Sequence, residues 1–84
     1  MRDKEYVLSK VREAFKAAFG IDPEIVTLET TPDQIPEWDS VGHLSLGASL
    51  QEAFGITLDV DDLMEMENVR AIVRIIETKL SKKV

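Results

Sequence analysis

Two side chains in this 84-residue sequence stand together in a way that could serve chemistry: the carboxylate of Asp39 and the hydroxyl of Ser40, with the only histidine, His43, one turn further on. They belong to the stretch Glu37-Trp38-Asp39-Ser40-Val41-Gly42-His43-Leu44, which closes a polar loop and opens a helical pattern. Asp and Ser are both favoured helix N-caps, because their oxygens accept amide hydrogens that the first turn leaves unpaired. The same position sets a serine hydroxyl at the helix entrance. Nothing nearby completes a catalytic set. Ser/His/Asp and Cys/His arrangements need partners that His43 alone does not supply, so an enzyme is not expected.

Metal chemistry is equally poorly supported. The chain has no cysteine and one histidine, too few ligands for a typical zinc site. Asp59, Asp61 and Asp62 suggest a calcium loop, but such a loop starting at Asp59 would need glycine and glutamate where Met64 and Arg70 stand. The formal charge is −6, and its distribution is uneven. All ten Lys and Arg residues lie in Arg2–Lys16 or Arg70–Lys83, while the span Ala17–Val69 holds twelve acids and no base. Nucleic acid, which is bound through clustered cations, is therefore not expected as a partner. An acidic middle favours basic protein partners steered by charge. No apolar run reaches the roughly 18 residues of a membrane span, and the start is too charged for a signal peptide. A cytoplasmic, monomeric protein with one domain over residues 1–84 is the expectation.

The elements that must position Ser40 follow from apolar spacing. Asp3 to Phe19 reads as a first helix capped by Asp3, with Val7, Val11, Phe15 and Phe19 at i+4 and Gly20 as its stop. Ile21 to Trp38 is a long connection holding Pro23, Pro32 and Pro36, with Ile25, Val26, Leu28 and Ile35 as the apolar residues that would pin it. A turn could begin at Thr31-Pro32-Asp33, and Pro36 biases Ile35 away from helix. The second helix runs from about Ser40 to Phe54, with Val41, Leu44, Ala48 and Leu50/Phe54 as its apolar positions and Gly55 as its stop. Asp59 or Asp61 can cap a short helix over Asp62–Met66, and Asn68 a last one over Val69–Leu80. The expected fold is all-α: a small four-helix bundle of three longer helices and one short, with a long loop between the first two.

This order of helix, proline-containing loop, Asp39-Ser40-Val41, Phe54-Gly55-Ile56, acidic short helix and Val/Ile-rich last helix resembles the acyl carrier protein family, over roughly Val7 to Leu80. The family signature is Asp-Ser-Leu, and Val41 departs from it conservatively. The stretch from Trp38 to Leu44 is especially similar to stand-alone carriers of specialised pathways. The resemblance implies that Ser40 receives 4′-phosphopantetheine from coenzyme A through a separate phosphopantetheinyl transferase. Free amides and the helix dipole would favour the anionic phosphodiester there. It implies that a thiol on the arm carries acyl groups as thioesters to acyl-loading and acyl-processing enzymes of lipid, polyketide or other specialised biosynthesis. Asp39 would orient the transferase or its magnesium, or only cap the helix. Leu44, Leu63, Met66 and Ile72 would line an acyl cleft.

One departure matters for partners. Better-known fatty-acid carriers bear several carboxylates along the second helix, whereas the corresponding exposed positions here are read as Gly42, His43, Ser45, Ser49 and Gln51, which leaves Glu52. The docking surface is then expected to move to Asp61, Asp62 and Glu65, with apolar Val41 and Met64. His43 is read as a solvated position in preference to one facing the phosphate, and Trp38 as a partly buried anchor. The alternatives are a peptidyl or aminoacyl carrier, whose motif usually has Gly where Asp39 stands, and an unmodified helical interaction module.

Overall fold

The structure, a computed structural model, describes residues 4–82. Four helices form in chain order: α1 (Lys4–Phe19), α2 (Ser40–Phe54), α3 (Val60–Glu65) and α4 (Val69–Lys82). The all-α expectation holds, and no strand occurs among the described residues. The Asp3 cap lies outside them. α3 begins two residues earlier than expected and α4 ends two later, both within the ordinary uncertainty of helix ends.

α1 buries Val7, Val11, Ala14 and Phe15 against Leu46, Leu50 and Phe54 of α2 and the Val69, Ile72, Val73 and Ile76 stripe of α4. α2 ends at Gly55, whose φ of 65° places it in the left-handed region, and its amide donates to the Gln51 carbonyl at 2.8 Å. The apolar spacing of α2 misled the sequence reading. Leu50 and Phe54 are in the core, but their companions are Leu46 and the close-packed Gly47. Val41, Leu44 and Ala48 form a separate, solvent-facing stripe. The positions read as an exposed polar face also need correcting. Gly42, His43, Ser49 and Gln51 are half-buried, and Gln51 Oε1 accepts the Leu58 amide at 3.0 Å. Of these positions only Ser45 is fully exposed.

The long loop carries its own framework. Two short 3₁₀ turns, Pro23–Ile25 and Pro32–Gln34, start at prolines whose fixed φ suits a helical first residue. Val26 and Ile35 are fully buried and do pin the loop; Ile25 is exposed and does not. Thr30, a buried polar residue, accepts the Thr27 amide on Oγ1 at 2.9 Å, and its carbonyl accepts the Val69 amide at 3.1 Å. Arg12 Nε donates to the Val26 carbonyl at 2.7 Å, tying the loop to α1 as well.

α3 is short and held largely by polar contacts. Asp59 accepts the Asp62 amide at 2.9 Å while Asp62 Oδ2 accepts the Asp59 amide at 3.2 Å, a reciprocal capping box. Asp62 Oδ2 also lies 2.8 Å from Lys79 Nζ on α4. The Lys79 ammonium, hydrogen-bonded to this carboxylate, holds Asp62 below the usual carboxylate range, against a smaller upward push from burial, and Asp62 raises Lys79 in return. A lowered carboxylate pKa contributes stability that is complete above the unfolded value of about 3.9 and is lost as pH falls through the folded value. The raised lysine contributes below its unfolded value of about 10.4 and is lost as pH rises through the folded value. Asp62→Asn, which keeps an acceptor for the Asp59 amide, should therefore melt a few degrees below wild type at pH 7. The gap should close at the acid end, below the lowered Asp62 value. Thermal circular dichroism at both pH values measures this, and a gap that persists in acid would assign the effect to something other than the charge.

Candidate functional site

The junction before α2 is built by burial on one side and capping on the other. Trp38 is 4% exposed and meets Phe15 edge to face, with centroids 5.1 Å apart and planes at 85°. Its amide donates to the Ile35 carbonyl at 3.0 Å, closing the turn that contains Pro36. With Trp38 fixed in the core, Asp39 is extended and acts as the N-cap, its Oδ1 accepting the Gly42 amide at 2.8 Å. The Asp39 carbonyl accepts the His43 amide at 2.8 Å. Ser40 is thus the first residue of α2 rather than its cap.

Ser40 is exposed, and its hydroxyl bonds to no described residue. The amides of Ser40 and Val41 have no partner within the helix, because they belong to its first turn. A hydroxyl beside two open amides, at the positive end of a 15-residue helix, is placed to carry an anionic substituent. The residues therefore fit a phosphodiester at this point. The Asp39 carboxylate is turned to the Gly42 amide, so the cap function is observed.

Gly42 allows this turn to close. A Cβ there would collide with the Glu37 carbonyl oxygen and lie 3.0 Å from Phe19 Cε1. Gly47, one turn and a half further on, leaves room for Leu63, whose Cδ2 would lie 2.6 Å from a Cβ at that position. Both glycines, unfavourable in a helix by propensity, mark close approaches.

The other candidate residues separate into two groups. Met66 and Ile72 are buried in the core, and Leu63 packs against it. Leu44, expected with them in a cleft, is 62% exposed and lies on the outer stripe of α2. Val41 and Met64 are 74% and 71% exposed, as a docking role requires. Val60, equally exposed at the start of α3, escaped the sequence reading because it follows the Asp59 cap with no helix-spaced apolar run to flag it. Asp61 and Glu65 are exposed, whereas Asp62 is engaged by Lys79 and the Asp59 amide. His43 is not a solvated position: it is half-buried and hydrogen-bonded through both ring nitrogens.

The family model described as a phosphopantetheine attachment site matches residues 9–76, most of the chain. The chain belongs to this family. The carrier fold agrees with a solved relative, the solution NMR structure of a holo acyl carrier protein from Geobacter metallireducens. That protein is 28% identical, with a TM-score of 0.81 over 92% of this chain and 88% of its own. No curated protein matches the sequence. As a member of the phosphopantetheine-attachment family the chain is a carrier and not an enzyme, and its prosthetic group is covalent 4′-phosphopantetheine. A carrier of this kind works with a phosphopantetheinyl transferase and with the enzymes that load and process its cargo. No helix among the described residues is long and apolar enough to cross a membrane.

Proposed function

We propose that Ser40 is the attachment residue and that the carrier presents acyl groups to enzymes of a specialised lipid or polyketide pathway. The observation that carries this reading is the exposed, unbonded Ser40 hydroxyl at the first position of α2. The arm would supply a terminal thiol, and so a thioester linkage, to a chain that has no cysteine. The chain's own part is positional. The buried Trp38 and the Asp39 cap hold the backbone on either side of Ser40, and the open first-turn amides offset the added negative charge. Leu63, packed on Gly47, and the buried Met66 and Ile72 are the apolar residues from which a shelter for the cargo would be made. Incubation with coenzyme A, magnesium and a broad-specificity transferase tests the reading by intact mass. The gain of one phosphopantetheine supports it, and an inert protein with several transferases would sink it.

Partner enzymes would dock on α2 and α3 through Val41, Leu44, Val60 and Met64, bordered by the acids Asp61 and Glu65. Asp62, expected to share this role, is drawn inward by Lys79 and contributes little free charge. The outer stripe of α2 carries a single acid, Glu52, so an enzyme that recognises a carboxylate-lined second helix should accept this carrier poorly. Asp61→Asn/Glu65→Gln should slow acyl transfer with the cognate enzyme several-fold at low salt, mainly through association. Ser45→Glu/Ala48→Glu, which puts acids on exposed positions of α2, should raise the rate with a generic fatty-acid synthesis enzyme. Rates on the loaded carrier decide the matter: changes below about twofold in both, far under the tenfold of 1.4 kcal/mol, would rule out docking by these groups.

A further inference from the structure

His43 links the junction before α2 to α3 through its two ring nitrogens. Trp38 Nε1 lies 2.8 Å from His43 Nδ1, and His43 Nε2 lies 2.7 Å from the Leu63 carbonyl oxygen. The two rings also stack, with centroids 6.2 Å apart and planes at 11°. An indole nitrogen can only donate, and a carbonyl oxygen can only accept. Nδ1 must therefore be unprotonated and Nε2 must carry the hydrogen, which fixes one neutral tautomer. The ring then runs as a relay from the residue two before Ser40, through the first turn of α2, to the last turn of α3. The importance of the second bond follows from how little else holds α3. None of its residues is fully buried, and besides the packing of Leu63 on Gly47 its tie to the rest of the bundle is the Asp62–Lys79 pair.

We propose that His43 is a positioning residue, a tautomer-specific latch that seats α3 against the Trp38–Ser40 junction and releases it when the ring is protonated. An imidazolium has a hydrogen on both nitrogens. It would set Nδ1–H against the Trp38 N–H, so the Trp38 bond is lost; Nε2–H can still donate, but the ring must turn from Trp38 and so draws Nε2 away from the Leu63 carbonyl. Among the described residues both ring nitrogens are taken by Trp38 and Leu63, and no carboxylate is hydrogen-bonded to the ring. The charged groups on the elements it joins are Glu37 and Asp39 on the junction, Glu52 on α2 and Asp61, Asp62 and Glu65 on α3, with Asp39 on the Gly42 amide and Asp62 on Lys79 of α4. The latch goes beyond the carrier reading and needs no attached arm, so the unmodified protein suffices to test it.

Amide hydrogen exchange by NMR, corrected for intrinsic rates, reads the seating of α3 through Leu63, whose amide bonds to the Asp59 carbonyl, and Met66, whose amide bonds to that of Leu63. In His43→Phe, which keeps a stacking ring and loses both bonds, protection of these amides should fall about tenfold while Val11 and Ile76 in the core keep theirs. His43→Gln, whose amide nitrogen can reach the Leu63 carbonyl, should restore most of the α3 protection. In wild type the protection should fall over the same pH interval in which the His43 ring resonances titrate, and His43→Phe should show no such step. Ring ¹⁵N shifts should report the Nε2–H tautomer at neutral pH. An Nδ1–H tautomer, unchanged α3 protection in His43→Phe, or an acid step that persists without His43 would each overturn the latch. If His43→Phe does not fold, the wild-type titration and His43→Gln still decide it.

Discussion

Ser40→Ala should remain at its unmodified mass after treatment with coenzyme A and a phosphopantetheinyl transferase, while the wild type gains one arm completely. The effect is all or none because no other hydroxyl shares its setting. The sequence has five serines, at positions 9, 40, 45, 49 and 81, and only Ser40 opens a helix next to a capping carboxylate. Ser9 and Ser45 lie inside helices, where neighbouring amides are already bonded along the ladder. Ser45→Ala serves as the control and should be modified at the wild-type rate. Removing the Ser40 hydroxyl leaves the Asp39–Gly42 cap intact, so the variant should melt with the wild type. An alanine variant that still gains mass, or one that fails to fold, would separate Ser40 from the role assigned to it.

Gly42→Ala should be the most damaging single-methyl change at the site. Helix propensity alone predicts a gain of about 1 kcal/mol from replacing an interior glycine by alanine. Here the new methyl meets the Glu37 carbonyl, a backbone atom that cannot rotate away, and presses on the Phe19 ring. Overpacking of this kind costs about 2–3 kcal/mol, which for a domain of this size lowers the melting temperature on the order of 10–20 °C. The turn would have to open between Glu37 and Gly42, displacing the residues that set out Ser40, so modification should slow as well. Gly47→Ala makes an informative contrast. Its methyl meets only the end of the Leu63 side chain, which can change rotamer, and the loss should be smaller. Thermal denaturation of both variants checks the ranking. A Gly42→Ala protein as stable as wild type would mean that the junction yields without cost.

The helices were legible because α1 and α4 each present one apolar stripe, and because Gly20 and Gly55 stop α1 and α2 where the pattern ends. α2 was legible as a helix but not in its facing. It carries two apolar stripes, Leu46, Leu50 and Phe54 inward and Val41, Leu44 and Ala48 outward, and spacing alone cannot say which one meets the core. The reading joined pieces of both, which is why Leu44 was placed in a cleft. Ser40 and Asp39 could be found from local chemistry, since capping is decided within four residues. His43 could not. Its partners are a side chain across the turn and a carbonyl twenty residues away, and no local signal marks a bond of that reach.

The hydrogen bond from the Val69 amide to the Thr30 carbonyl joins the long loop to the first residue of α4, far apart in the chain. Arg70 reinforces the join, with Nη2 2.9 Å from Glu29 Oε2. Contacts of such sequence separation need their loop-closure entropy to be met before they return anything. During synthesis or refolding, the Glu29–Thr30 part of the loop gains this join only once α4 exists and has docked. The serine that precedes α4 by some thirty residues closes this same loop, and the surroundings of the loop as a whole are complete only when α4 has docked. Attachment of a prosthetic group that requires those surroundings would then act as a report that the chain has finished folding.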